Sequence, residues 1–303
     1  MSTLSRRCLG AAAGMILDRL AGEPPSAIHP VAWFGRTMTA VERATWADRR
    51  VSGIAYTVLG TGIGATAGRI VNSVSLAVAV TVAGRELRSI ALQIGNVTRS
   101  GDLEAARTML PSLVGRDPSE LSENDIAAAV IESVAENTVD AVVAPVFWAV
   151  AAGAPGAAGY RAINTMDAMV GHRSDRYRNF GWAAARLDDV ANYLPARLFA
   201  ALVALQKPAS ARLVLSSVAR YAPAHPSPNA GVAETSVAAS LDRRLGGPLR
   251  YGDVSEDRPF LGEGPRPTPR DISDAVALVD KVERTMIGVL VVVGTLDWLR
   301  TRR

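Results

Sequence analysis

The chain has 303 residues, of which 49% are hydrophobic and 20% charged, with a mean hydropathy of +0.15; that apolar content excludes a disordered or low-complexity protein. A single cysteine, Cys8, and three histidines exclude an internal disulfide framework, a cysteine-cluster metal site and a dense imidazole site, while scarce aromatics and abundant Gly, Ala and Val favour closely packed helices over a β-sandwich. The net charge of +4 rests almost wholly on Arg, because Lys stands only at Lys207 and Lys281; neither follows a Gly, which removes a Walker-type phosphate loop, and no basic run interleaved with aromatics marks a nucleic-acid binder.

In chain order, residues 4–20 are expected to form a retained first helix. Ser5-Arg6-Arg7 before an apolar run imitates a secretory or twin-Arg signal, but no small-residue cleavage site closes it. Pro24, Pro25 and Pro30 then impose a rigid loop. Uncharged windows follow at 51–68, 70–84, 141–160, 198–206 with 213–219, and 285–296. Each is short enough to be either a membrane span or a buried helix of a soluble protein. Gly60, Gly64 and Gly68 recur every fourth residue, a spacing that lets helix backbones approach closely. The terminal Arg300, Arg302 and Arg303 read as a cytoplasmic flank. Between the windows, a polar helix is expected near 102–110, and Ser122 or Asn124 caps the next one. Pro223, Pro226 and Pro228 make a second rigid loop, and Asn229 caps a helix over 230–245 that Gly246-Gly247 stops. A surface loop over 247–270 precedes the last helix from Ile272. The predicted fold is all-α, a polytopic helical membrane bundle with polar loops and short cytoplasm-facing helices, in one domain spanning 1–303.

Three constellations carry chemistry. At helical spacing, Glu132, Glu136 and Asp140 lie on one stripe, with Ser133 and Asn137 beside it. Three like charges there disfavour a bare helix unless a cation binds, though a solvated helix face has the same pattern. Asp188, Asp189 and Asn192 form a second cluster, suited either to Mg²⁺ with its retained waters or to ion pairs with Arg186 or Arg197. Between them, Asn164 and Asp167 share a helix face that ends at Gly171-His172. Arg173, Arg176 and Arg178 follow, as a phosphate or carboxylate cradle or as a basic loop beside a membrane. A three-His metal site from His29, His172 and His225 lacks an i,i+4 pair to anchor it, and Met166 and Met169 read as packing residues.

Taken together and in order, these segments resemble the CobD/CbiB family of cobalamin-biosynthesis membrane proteins. The matching pieces are Asp18 with Gly22-Glu23-Pro24-Pro25 and His29-Pro30-Val31, then Glu132 to Thr138 with Asp140, and Ala144-Pro145-Val146-Phe147. Asn164 to His172, Phe180-Gly181, Ala185 to Asn192, Pro195-Ala196-Arg197 and Ser227 to Gly231 continue the series. The usual pattern has Tyr near His172 and often Asp where Glu23 stands. The resemblance implies an adenosylcobinamide-phosphate synthase: an ATP-dependent ligase that joins adenosylcobyric acid to (R)-1-aminopropan-2-ol O-phosphate at the cell membrane. On that reading Glu132, Glu136, Asp140, Asn164 and Asp167 are catalytic. His29, Asn137, His172, Arg173, Arg176, Arg178, Arg186, Ser227 and Asn229 contact substrate. Glu136, Asp140, Asp188, Asp189 and Asn192 hold Mg²⁺. ATP is a co-substrate, no prosthetic group is implied, and the partners are the corrinoid and aminopropanol-phosphate substrates, membrane lipid, and either later corrinoid-pathway enzymes or a second copy of the chain. The acidic clusters also suit a Mg²⁺-dependent intramembrane prenyl or phospho-alcohol transferase. A non-catalytic membrane signalling or assembly protein is the third reading; it requires that the acidic stripe be dispensable.

Overall fold

The computed structural model describes residues 1–115, 117–172, 174–251, 254–256 and 258–302, without the side chains of 249–251 and 254–256. Thirteen α-helices are present among them: α1 (Thr3–Ala21), α2 (Pro30–Thr45), α3 (Arg50–Val71), α4 (Val74–Thr81), α5 (Gly84–Arg99), α6 (Leu103–Met109), α7 (Glu123–Thr138), α8 (Ala144–Val170), α9 (Trp182–Ala191), α10 (Tyr193–Gln206), α11 (Ala211–Tyr221), α12 (Ala230–Leu241) and α13 (Pro269–Arg300). Short strands lie within and just before the expected loop over 247–270: β1 (Leu245–Gly246) pairs antiparallel with β4 (Phe260–Leu261), and β2 (Leu249–Tyr251) with β3 (Val254–Glu256).

Local chemistry accounts for most helix ends. The Asp102 carboxylate accepts from the Ala105 N–H at 3.0 Å, and the Ser122 hydroxyl from the Asp125 N–H at 3.3 Å, each satisfying an amide that the helix leaves unpaired. The expected cap at Asn229 differs. Its side chain makes no capping bond, and the Ser227 hydroxyl accepts from the Asn229 and Ala230 N–H groups instead, at 3.3 and 3.2 Å. Helix α12 also ends earlier than expected, at Leu241, where Asp242 turns left-handed at φ 55°.

The chain divides into two compact units, each assembled from separate stretches of sequence. The first comprises Met1–Arg85, Asp140–Asn192 and Met286–Arg303. At its centre α8 packs against α3, α4, α9, α1 and α2. The α3–α8 contact depends on the glycine ladder: a Cβ on Gly64 would stand 2.5 Å from the Ala162 Cβ and 2.8 Å from the Ala158 carbonyl oxygen, and Gly60 and Gly68 abut Met166 and Ala154 equally closely. Met38, Tyr56, Met166, Val170 and Phe180 fill the core beside it, which makes Met166 a packing residue as expected. Buried Asp18 caps α5 by accepting from the Arg85 N–H at 3.1 Å.

The second unit comprises Glu86–Val139 and Tyr193–Thr285. In it α12 packs against α10, α11 and α7, and strand β1 lies against α7. Arg88 on α5 pairs with Glu283 on α13.

Among the described residues, two helical stretches are long and apolar enough to cross a membrane, Arg50–Val71 and Glu123–Val170. A third arises if Tyr193–Gln206 and Pro208–Ala224, bent by 118° at their junction, count as one broken span. By length and composition, the five uncharged windows therefore yield two or three candidate spans among the described residues. Asn72 and Ser73 interrupt the window at 70–84, leaving α4 only eight residues. The stretch Glu123–Val170 is itself interrupted twice, by a π turn at Val139–Val143 and by a kink at Gly153, φ +74°, ahead of Pro155.

Candidate active site

In the first unit, three elements bring acidic and amide side chains together. The π turn presents Asp140, α8 presents Asn164 and Asp167 one turn apart, and α9 presents Asp188 and Asp189, with Asn192 capping its C-terminus. The Asn164 side-chain amide donates to Asp140 Oδ2 at 3.1 Å and to Asp188 Oδ1 at 3.4 Å. The Asn192 amide donates to Asp188 Oδ2 at 2.9 Å, and the buried Tyr160 hydroxyl donates to Asn192 Oδ1 at 2.8 Å. Arg161 donates to Asn164 Oδ1 at 3.2 Å, and Arg186 lies 3.6 Å from Asp189. Burial, together with the charge of Asp167, pushes the Asp188 carboxyl up to about 7, against the pull of its hydrogen bonds from Asn192 and Asn164. The cluster's carboxylate oxygens, with the Asn164 and Asn192 amide oxygens beside them, are hard donors of the type that Mg²⁺ takes.

In the second unit, α7 carries Glu132, Ser133 and Glu136 toward Glu234 on α12 and His225 in the preceding proline loop. One ligand atom from each of Glu136, His225 and Glu234 lies within 4.8 Å of the others. Glu132 accepts from the Gly246 N–H at 2.8 Å, and Ser133 donates to the Leu113 carbonyl at 2.9 Å. Burial holds the His225 imidazole below its ordinary value, and burial with the charges of Glu136 and Glu132 pushes the Glu234 carboxyl well up.

The single stripe expected over Glu132, Glu136 and Asp140 is thus divided: the first two belong to this second cluster and Asp140 to the first. A π turn with i→i+5 bonding opens at Val139, between Glu136 and Asp140. Asn137 donates back to the Ser133 carbonyl and hydroxyl at 2.9 and 3.0 Å. His29 caps α2 by accepting from the Val31 N–H at 3.2 Å, and its Nε2 stands 3.3 Å from Glu23. His172 packs edge-on against Tyr177, with ring centroids 5.1 Å apart.

The structure distributes the arginines of the expected cradle among acidic partners. Arg176 donates to Glu42 at 3.0 Å and lies over the Trp46 ring, and Arg178 pairs with Asp175 at 3.3 Å. Arg173 lies outside the described residues. Asn229 accepts from Arg197 at 2.8 Å, which ties the second proline loop to α10.

Four neighbours escaped the sequence reading: Arg161, Tyr160, Glu234 and Arg258. Arg161 stands one turn before Asn164, and Glu234 is the lone charge in an apolar helix; both are signals that periodicity offers. Tyr160 and Arg258 are placed by tertiary contact alone.

The family model described as CobD/CbiB protein matches residues 11–279. The chain belongs to the CobD/CbiB family. Among its relatives, "Cobalamin biosynthesis protein CobD" of Mycobacterium tuberculosis (strain CDC 1551 / Oshkosh) is 44% identical, over 91% of this chain and 92% of the relative. Proteins of the same name from Chromobacterium violaceum and Rhodobacter capsulatus are 41% and 40% identical, over 88% of this chain and 90% and 88% of theirs. No solved structure matches it. Membership places this CobD/CbiB chain in cobalamin biosynthesis and agrees with the blocks of residues that suggested it.

Proposed function

We propose that this chain is an adenosylcobinamide-phosphate synthase, with its reaction centre at the Asp140–Asn164–Asp188–Asn192 cluster. The product amide forms between a carboxyl carbon of adenosylcobyric acid and the amine of (R)-1-aminopropan-2-ol O-phosphate; one carboxylate oxygen leaves on the phosphate taken from ATP, and the amine gives up a proton. Family membership supports the pathway. The observation that carries the site is the convergence of four aspartates and two asparagines from three elements, with amide donors of Asn164 and Asn192 on both oxygens of Asp188. Asp140, Asp167, Asp188 and Asp189, with Asn164 and Asn192, would hold Mg²⁺. A bound Mg²⁺ supplies charge neutralisation for the phosphate oxygens. The residues' own work is positional: Asn164 holds Asp140 and Asp188 together, Tyr160 orients Asn192, and Arg161 and Arg186 stand beside the cluster as donors for a phosphate. We assign the enzyme to the cell membrane as a multi-pass protein with a cytoplasmic C-terminus.

The test is to incubate purified protein with adenosylcobyric acid, aminopropanol phosphate, ATP and Mg²⁺ and to follow products by mass. Adenosylcobinamide phosphate is expected, and only when every component is present. Unaltered corrinoid in the complete mixture, from protein shown to be folded, would reject the assignment.

A further inference from the structure

Outside the proposed reaction centre, the second cluster has the composition of a metal site of different character. His225 is 5% exposed and Glu234 4% at their side chains, and the imidazole Nε2 is buried without a hydrogen-bond partner, 3.6 Å from Glu234 Oε1. A buried ring nitrogen left unpaired is costly, and this one is aimed at two carboxylates whose oxygens lie within 4.8 Å of it.

The other ring nitrogen is held. His225 Nδ1 lies 3.2 Å from the Ser227 carbonyl oxygen and 3.1 Å from the Ser227 N–H. In the tautomer with the proton on Nδ1, that nitrogen donates to the carbonyl and the Nε2 lone pair is free. Anchoring one imidazole nitrogen on a backbone carbonyl is how metal-ligating histidines are oriented.

The backbone is shaped for the same placement. A Cβ on Gly231 would stand 2.5 Å from the His225 Cβ, so only glycine lets the start of α12, and Glu234 one turn later, come this close to the ring. Charge points the same way. Glu132, Glu136 and Glu234 share the lining of a cavity of about 210 Å³ with Arg258. Carboxyl groups outnumber the guanidinium there, a balance that a bound cation offsets. The cavity also has room for water as a further ligand.

We propose that Glu136, His225 and Glu234 bind a divalent ion of the Zn²⁺–Mn²⁺ kind, at a site separate from the Mg²⁺-type aspartate cluster and independent of the ligase assignment. An imidazole nitrogen with two carboxylates suits these ions, whereas an all-oxygen set suits Mg²⁺.

The test uses the full chain, purified in detergent and stripped with chelator. After dialysis against Zn²⁺, elemental analysis is expected to find one tightly held equivalent per chain, which excess Mg²⁺ does not displace and which folded His225→Ala and Glu234→Gln each lose. Wild-type protein loaded with one equivalent of Mn²⁺ is expected to show spin-echo modulation from an imidazole nitrogen, a reading that needs no variant to fold. The site is overturned if wild-type protein retains no Zn²⁺, if Mg²⁺ displaces it, if folded variants retain it in full, or if bound Mn²⁺ shows no nitrogen coupling.

Discussion

Asp188 is held by amides on both carboxylate oxygens, Asn164 on one and Asn192 on the other, so its orientation is set before any ligand arrives. Removing its charge leaves the amide partners without an ionic acceptor and weakens whatever cation the cluster holds. Asp188→Asn and Asp189→Asn are each expected to raise the Mg²⁺ concentration for half-maximal synthase rate, by about 10- to 100-fold, with partial recovery in Mn²⁺. Unchanged metal titrations in both variants would make the cluster structural. Lysine at Arg186 tests phosphate contact separately: charge is retained and the bidentate fork lost, so KM for ATP or for the phosphorylated amine is expected to rise while the metal titration stays the same.

His29 makes a second residue-scale prediction. Burial, then the charge of Arg161, holds its imidazole below the ordinary value, and its Nδ1 lone pair caps α2 only while unprotonated. The unfolded chain takes up this proton near the ordinary value of about 6.5, and the folded chain only at lower pH. This contribution is therefore constant above about 6.5 and lost as pH falls below it. Thermal stability in detergent is expected to fall from pH 7 to pH 5 more steeply in wild type than in His29→Asn, which keeps a capping acceptor without a titrating ring. Parallel curves would remove His29 from the account.

At the scale of elements, the α3–α8 pair separates glycines that serve packing from those that do not. Gly64 faces Ala162 and Ala158 with no room for a Cβ, whereas a Cβ on Gly62 meets nothing within 4 Å. Gly64→Leu is expected to destabilise the protein by about 1–3 kcal/mol through overpacking. Gly62→Ala is expected to be neutral or to stabilise by about 0.4–1 kcal/mol, because it only restricts the unfolded chain. Denaturant midpoints in detergent distinguish them, and equal effects would mean that the ladder carries no contact. Packing shows the same principle in another form: Glu136 and Asp140, four residues apart, meet different neighbours, Glu136 those on α12 and its preceding loop and Asp140 those on α8.

For the whole molecule, the prediction concerns solvent. Val51, Val58 and Ile70 on α3 and Val289, Val292 and Leu296 on α13 are exposed apolar residues of the first unit, an arrangement suited to lipid rather than water. The protein is expected to stay with membranes through a carbonate wash, and a reporter fused after Arg303 to be read on the cytoplasmic side. Recovery of the intact protein in the soluble fraction would count against a membrane assignment.

The sequence alone determined the helical class, the first helix and its proline loop, the polar helix from about 102, the cap at Ser122, the glycine ladder and the acidic residues of the first cluster. These features rest on periodicity, on turn chemistry and on carboxylates within a turn of one another, all of them short-range. Ordered blocks of residues along the chain also carried the family resemblance. Tertiary structure decided the rest. It brought Asp140 beside Asn164 and Asp188, gave Arg176 to Glu42, and joined Glu136 to His225 and Glu234 from segments roughly ninety residues apart. No one-dimensional period encodes such a meeting, because the groups converge only when burial of apolar faces brings distant helices together.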